Sequence, residues 1–228
     1  IGHKAGNGSK ADATSNTAVG HHSLTALTSG GSNTAIGSRA ARALTSGTQN
    51  TTLGYFSGTG ITTGSENIHI GSLAGEGNRE ASQLVGIGNS TFRIGTVTTN
   101  ANGAVAVGYE ASRYLTTGAG STAVGFYAGH FNTTGDSSTF IGSKAGQGIT
   151  GAKLTGNANT AVGRKAGFLL QGSAEGNTLL GYLTGDSITT GTNNTLLGQG
   201  ADTDDATATN QTVIGQGATG VADNSVTL

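Results

Sequence analysis

The chain has no cysteine, no proline, no methionine and no tryptophan among its 228 residues. Without cysteine there is no disulfide framework, no thiolate metal site and no thiol nucleophile. Without proline the collagen class is excluded, since collagen also needs glycine at every third position. Charge is scarce as well, at 10% of residues where about a quarter is usual. The formal net charge is −1, so no overall field draws the chain to nucleic acid or to an anionic membrane. No apolar run nears the ~20 residues of a membrane-spanning helix. Disordered chains are commonly rich in charge or proline, and this one has little of the first and none of the second.

What is present is glycine, at 42 residues, and it is placed with regularity. Asn16-Thr-Ala-Val-Gly20, Asn33-Thr-Ala-Ile-Gly37 and Asn50-Thr-Thr-Leu-Gly54 close on glycines 17 residues apart. A second phrase runs between them: Leu27-Thr-Ser-Gly30, Leu44-Thr-Ser-Gly47 and Ile61-Thr-Thr-Gly64. The closing glycines continue through Gly71, Gly88, Gly108, Gly125, Gly142, Gly163, Gly181, Gly198 and Gly215. Short strand-like phrases at a fixed period of this length are the signature of a solenoid. The sequence therefore predicts an all-β fold, a parallel β-solenoid of about 17-residue coils, filling residues 1–228 as a single repeat domain. Ile1-Gly2 reads as the end of a strand phrase, so the chain is expected to be a fragment of a longer protein, with any targeting segment outside it.

The repeat is Asn-Thr-x-Φ-Gly-x-x-small-Gly, where Φ is Val, Ile or Leu. Branched aliphatics at Φ suit a strand, and successive strand residues face opposite ways. Thr and Φ then share one face and the middle residue, often alanine, takes the other. Both faces read as buried: one in a narrow coil interior, the other in close contact with something else. The alanine face is the one expected to approach neighbouring chains. The asparagine that opens each phrase is expected at a coil corner, either as a polar turn former or as one rung of a side-chain ladder. One coil cannot offset the ~1–2 kcal/mol per residue of backbone ordering with two aliphatics worth roughly 1.5–3 kcal/mol each. Coils must stack, and the thin core predicts several chains around one axis. About a dozen coils at ~4.8 Å give a rod on the order of 60 Å. Insertions after Gly88 and after Gly142 are expected in loops on one face.

The phrases Asn16-Thr-Ala-Val-Gly20, Asn33-Thr-Ala-Ile-Gly37 and Asn159-Thr-Ala-Val-Gly163 resemble the head repeat of trimeric autotransporter adhesins. The resemblance implies a left-handed β-roll, with three chains side by side or intertwined. The longer phrase from Asn33 to Gly47 is similar to repeats in bacteriophage tail fibres and related surface fibres. The ending Ala222-Asp-Asn-Ser-Val-Thr-Leu228 resembles the run before a self-cleaving chaperone domain in such fibres. What this implies is an extracellular homotrimer, on a virion or a cell surface, serving adhesion or reach.

The residues offer little catalytic chemistry. Asp202, Asp204 and Asp205 are the one carboxylate cluster, able in principle to hold Ca²⁺, but their spacing fits neither an EF-hand nor the nonapeptide calcium repeat. His69 stands where other repeats carry alanine and is expected at a chain–chain contact, either as a hydrogen-bonded packing residue or, with three copies on an axis, as part of a metal or anion site. His21 and His22 are adjacent, and on extended backbone they face opposite ways. His3 and His130 carry no signal. Gly86-x-Gly88 has no helix after it and is no phosphate loop. Aromatics follow the strand glycines at Tyr55, Phe56, Tyr109, Phe126, Tyr127 and Tyr182. These positions hold polar residues elsewhere, so the aromatics are expected to be exposed, and either to pack against a neighbouring coil or chain or to contact a glycan or protein receptor. Arg39, Arg42, Lys144, Arg164 and Lys165 are too sparse for a nucleic-acid stripe. The reading is a non-enzymatic, structural or adhesive fibre segment without cofactor and without membrane insertion, with a phage tail fibre favoured. The alternatives are a bacterial adhesin head and an ice-binding solenoid. The last would align the Thr-Thr-Gly phrases at Thr62-Thr63, Thr116-Thr117, Thr133-Thr134 and Thr189-Thr190.

Overall fold

The computed structural model describes residues 1–8 and 12–228. It contains two compact units, Ile1–Thr117 and Gly118–Leu228. Each is a parallel β-solenoid. The first holds β1 (Thr17–Val19), β2 (Thr34–Ile36), β3 (Thr51–Leu53), β4 (Ile68–Ile70), β5 (Val85–Ile87) and β6 (Val105–Val107). The second holds β7 (Thr122–Val124), β8 (Thr139–Ile141), β9 (Thr160–Val162), β10 (Thr178–Leu180), β11 (Thr195–Leu197), β12 (Thr212–Ile214) and β13 (Val226–Thr227). Within each unit the strands lie side by side in chain order, every pair parallel. The register matches the repeat: Thr17 pairs with Thr34, Ala18 with Ala35, Val19 with Ile36. One coil thus supplies one rung.

Only the asparagine-led phrase forms a strand. The leucine-led phrase is a tight bend, in which the N–H groups of Thr28 and Ser29 both donate to Thr45 O, at 2.8 and 3.1 Å. Two donors converging on one carbonyl cannot continue as an extended ladder. The bend still stacks, because the Thr28 and Thr45 hydroxyls each donate to the carbonyl one coil onward, both at 2.9 Å. Its aliphatic residue is the main core side chain: Leu27, Leu44, Ile61, Leu115, Leu154, Leu170 and Ile188 are all fully buried.

The closing glycine meets two constraints together. Gly37 sits at φ +138° and Gly54 at +137°, outside the region open to L side chains. A Cβ on Gly37 would lie 2.2 Å from the carbonyl oxygen of Gly54, and one on Gly54 would lie 2.5 Å from that of Gly71. The next coil's backbone fills the space that any side chain would need. Two residues later the chain enters the left-handed region again, and here the residue is usually not glycine: His22, Arg39, Phe56, Leu73, Tyr127 and Lys144 lie near φ +60°. This corner is marked by glycine only at Gly200 and Gly217 among these coils. It is held by backbone bonds to the previous coil, such as Arg39 N–H to His21 O at 2.8 Å and Phe56 N–H to Ser38 O at 2.9 Å.

The asparagines form a ladder. Asn33 Oδ1 accepts from both the backbone N–H and the side-chain amide of Asn50, each at 3.0 Å. Asn50 Oδ1 accepts the same pair from Asn67, at 3.1 and 2.9 Å. Each amide also donates across its own coil, Asn33 to Gly47 O and Asn50 to Gly64 O, both at 2.9 Å. A shorter ladder runs through Asn159, Asn177 and Asn194 in the second unit. These residues are buried and hydrogen-bonded, the condition for burying an amide without the desolvation penalty.

The face assignment expected from sequence is reversed. The middle strand residue points into the coil: Ala35, Thr52, His69, Ala106, Phe140, Leu179 and Val213 are all buried. The Φ residues face outward. Alanine is the commonest middle residue, at Ala18, Ala35, Ala106, Ala123 and Ala161, because the coil is narrow, and bulk there is matched elsewhere. Where Phe140 fills it, the residue four after the closing glycine must be bare, and a Cβ on Gly146 would meet the Phe140 ring at 2.1 Å. Where the middle residue is Gly86, the equivalent later position is Phe92, whose ring turns inward and is fully buried.

A Gly54→Ala change combines a strained φ with overpacking against backbone and is expected to cost about 3 kcal/mol or more. Gly200→Ala, where a Cβ has nothing within 4 Å, is expected to cost about 1 kcal/mol from conformation alone. Chemical denaturation of the two variants measures the difference.

Candidate functional site

With the middle residues inside, the first and third residues of each strand form the outer face. The third builds a column in register: Val19, Ile36, Leu53, Ile70, Ile87 and Val107 in the first unit. In the second it is Val124, Ile141, Val162, Leu180, Leu197 and Ile214. Most Ile and Leu members are open to solvent, with Ile36, Leu53, Ile87, Ile141, Leu180, Leu197 and Ile214 exposed by 37–46%, while Ile70 is half-buried. Fully burying one such side chain contributes about 1.5–3 kcal/mol, so each outward column leaves a large favourable term unused. The first residue builds a parallel column. It is Thr17, Thr34 and Thr51, then turns apolar at Ile68, Val85 and Val105. In the second unit it stays threonine from Thr122 to Thr212.

The aromatics sit two residues beyond Φ or next to that position. Tyr55, Tyr109, Phe126 and Tyr182 are exposed by 41–57%, while Phe56 and Tyr127 are half-buried. Their rings pair locally: Tyr55 with Phe56 and Phe126 with Tyr127, each at 4.4 Å between centroids. Arginines from the previous coil cover two of them. Arg39 lies 4.9 Å over Phe56, and Arg164 lies 5.5 Å over Tyr182 while donating to its hydroxyl at 3.1 Å. The six residues are spread over separate coils rather than gathered in one place.

The carboxylates expected as one cluster are used separately. Asp202 accepts from Thr203 N–H at 2.9 Å and Ser187 N–H at 3.3 Å. Asp204 bonds the side-chain amide of Gln211. Asp205 accepts from the N–H and hydroxyl of Thr207, at 2.8 and 2.7 Å. Burial pushes the Asp202 carboxyl above its ordinary range, and the Thr207 bonds hold Asp205 below it. Among the described residues this group does not assemble as a metal site.

His69 is not at a chain–chain contact. It is fully enclosed in its own coil, where Asn78 takes the position that leucine or isoleucine fills elsewhere. The Asn78 side-chain nitrogen lies 3.3 Å from His69 Nε2, and Phe92 stands edge-on with centroids 6.2 Å apart. His69 Nδ1, Asn78 Oδ1 and Thr91 Oγ1 have no hydrogen-bond partner. Burial alone pushes the imidazole down to about 4, so it is neutral and core-forming. The sequence pattern gave its position in the repeat but not the direction of that position.

His21 and His22 also differ from the extended-strand expectation. They lie in a turn after Gly20, with His22 at φ +57° and the two rings 4.1 Å apart.

No known protein family matches the chain, and no curated protein matches it.

His69 gives the fold an acid sensitivity. In the unfolded chain it titrates near 6.5, in the folded chain near 4. Its contribution is therefore present above pH 6.5 and is lost as pH falls from there toward 4, as the unfolded state takes up a proton the folded state refuses. The loss amounts to about 3 kcal/mol for a shift of this size. Stability measured against pH should show this descent in the native protein. It should be smaller by that amount in His69→Ala, which restores the residue found at Ala18 and Ala35.

Proposed function

We propose that the chain is a non-enzymatic segment of a homotrimeric surface fibre, in which the outward Φ columns of three copies close on one another. The observation that carries this is the in-register run of exposed leucines and isoleucines on an otherwise uncharged, ordered strand face. Soluble monomers rarely leave contiguous apolar surface of this kind uncovered. A second copy of the same chain is the natural occupant, because a column with the coil repeat is complementary to another column with the same repeat. The side-by-side, left-handed arrangement follows the β-roll that the sequence resembles. The exposed Tyr55, Tyr109, Phe126 and Tyr182 would then be receptor contacts for sugar rings or a protein partner. The setting is extracellular. A phage tail fibre is the leading context, and a bacterial adhesin head is its alternative.

A second reading rests on a different column. Six threonines, from Thr122 to Thr212, stack in register beside the aliphatics, a flat array of the kind that can order water. The Thr-Thr-Gly phrases serve this reading less well, because Thr62, Thr133 and Thr189 spend their hydroxyls on carbonyls of the next coil.

Mass in solution separates the two. The trimer predicts about three times the 22.3 kDa chain, and Leu180→Glu combined with Leu197→Glu should return the mass to one chain with the β circular dichroism retained. A native monomer that depresses the freezing point below the melting point would support ice binding and overturn the trimer.

A further inference from the structure

Three histidines that the repeat logic leaves unconnected come together in the structure. His3 and His21 both stand one residue after a closing glycine, Gly2 and Gly20, so coil stacking places one above the other. Their rings are 5.5 Å apart and nearly parallel, at 15°. His22 reaches the same place because its left-handed backbone turns the side chain back toward its neighbour: its ring lies 4.1 Å from that of His21 and 5.9 Å from that of His3. The backbone fixes this arrangement, since His22 N–H donates to His3 O at 3.0 Å and Arg39 N–H donates to His21 O at 2.8 Å. One ring nitrogen from each residue lies within 4.8 Å of the other two, and among the described residues no other histidines or carboxylates converge in this way.

We propose that His3, His21 and His22 form a three-imidazole site for a divalent transition ion of the zinc class, joining two successive coils of a single chain. A tetrahedral ion with nitrogen ligands at ~2.0–2.1 Å needs nitrogens roughly 3.3 Å apart. His3 and His21 are exposed and His22 is half-buried, so side-chain rotation alone closes the remaining distance. The fourth position faces solvent and takes water, the usual complement of three protein ligands. Metal binding needs neutral imidazole. Lys4 and Arg39 repel a cation, which favours an ion bound through nitrogen ligation over one held by charge alone. The site lies within one chain and does not depend on the trimer.

Co²⁺ is the probe, because four-coordinate nitrogen ligation gives intense visible bands that the hexa-aqua ion lacks. The protein is prepared with two residues preceding Ile1, so that a free terminal amine near His3 cannot chelate the ion. The expected result is one Co²⁺ per chain, displaced by Zn²⁺, with binding abolished at pH 5. His3→Ala, His21→Ala and His22→Asn (asparagine tolerates the left-handed backbone) should each weaken binding at least about tenfold, no less than the loss of an outer-shell partner. Zn²⁺ should also slow hydrogen exchange at the amides of Gly20 and His22, which bond to the preceding coil. Absence of saturable binding would overturn the proposal. So would full affinity in His3→Ala, which would reduce the site to an ordinary pair of adjacent histidines. A melting curve for each variant shows whether it remains folded.

Discussion

Backbone meeting backbone at the closing glycines is the contact on which the rest of the structure depends. With the carbonyl of Gly54 where a Gly37 side chain would begin, neighbouring coils have one possible spacing and one possible register. Everything that repeats at 17 residues is thereby stacked on its own kind. The asparagine ladder needs this, since Asn33 Oδ1 can accept two bonds from Asn50 only if both corners fall at the same height. The bend hydroxyls need it too, each donating to a carbonyl one coil away.

Such tight stacking leaves a narrow interior. Three-residue strands and one aliphatic per bend fill it, and size is balanced position by position. Phe140 is admitted by Gly146, Phe92 replaces what Gly86 lacks, and His69 with Asn78 occupies a coil where other coils place alanine with leucine. The Φ aliphatics have no room inside and are turned outward. A thin core and an uncovered apolar column are two results of the same geometry, and together they motivate assembly with sister chains.

The sequence reveals the period, the strand phrase, the asparagine corner and the small residue after each turn, because each leaves a repeating residue type. It does not reveal which face is the interior. Val19 and Ala18 are both apolar, and the larger one reads as core although the narrow coil accepts the smaller. That single inversion misplaced His69. The left-handed corner at His22, Arg39 and Phe56 was equally invisible, because no glycine stands there and backbone bonds between coils hold it. The aromatics after the strand glycines could be placed by their offset from the repeat. The histidine trio could not, since it needs both the stacking of His3 on His21 and the unmarked turn at His22.

Nuclear Overhauser contacts between side-chain amides offer the most direct test of the stacking. In the stack described here, Asn16, Asn33, Asn50 and Asn67 should show cross-peaks only between neighbours 17 residues apart, with slowly exchanging amide protons. Amides that exchange freely with water, or cross-peaks in any other register, would contradict it.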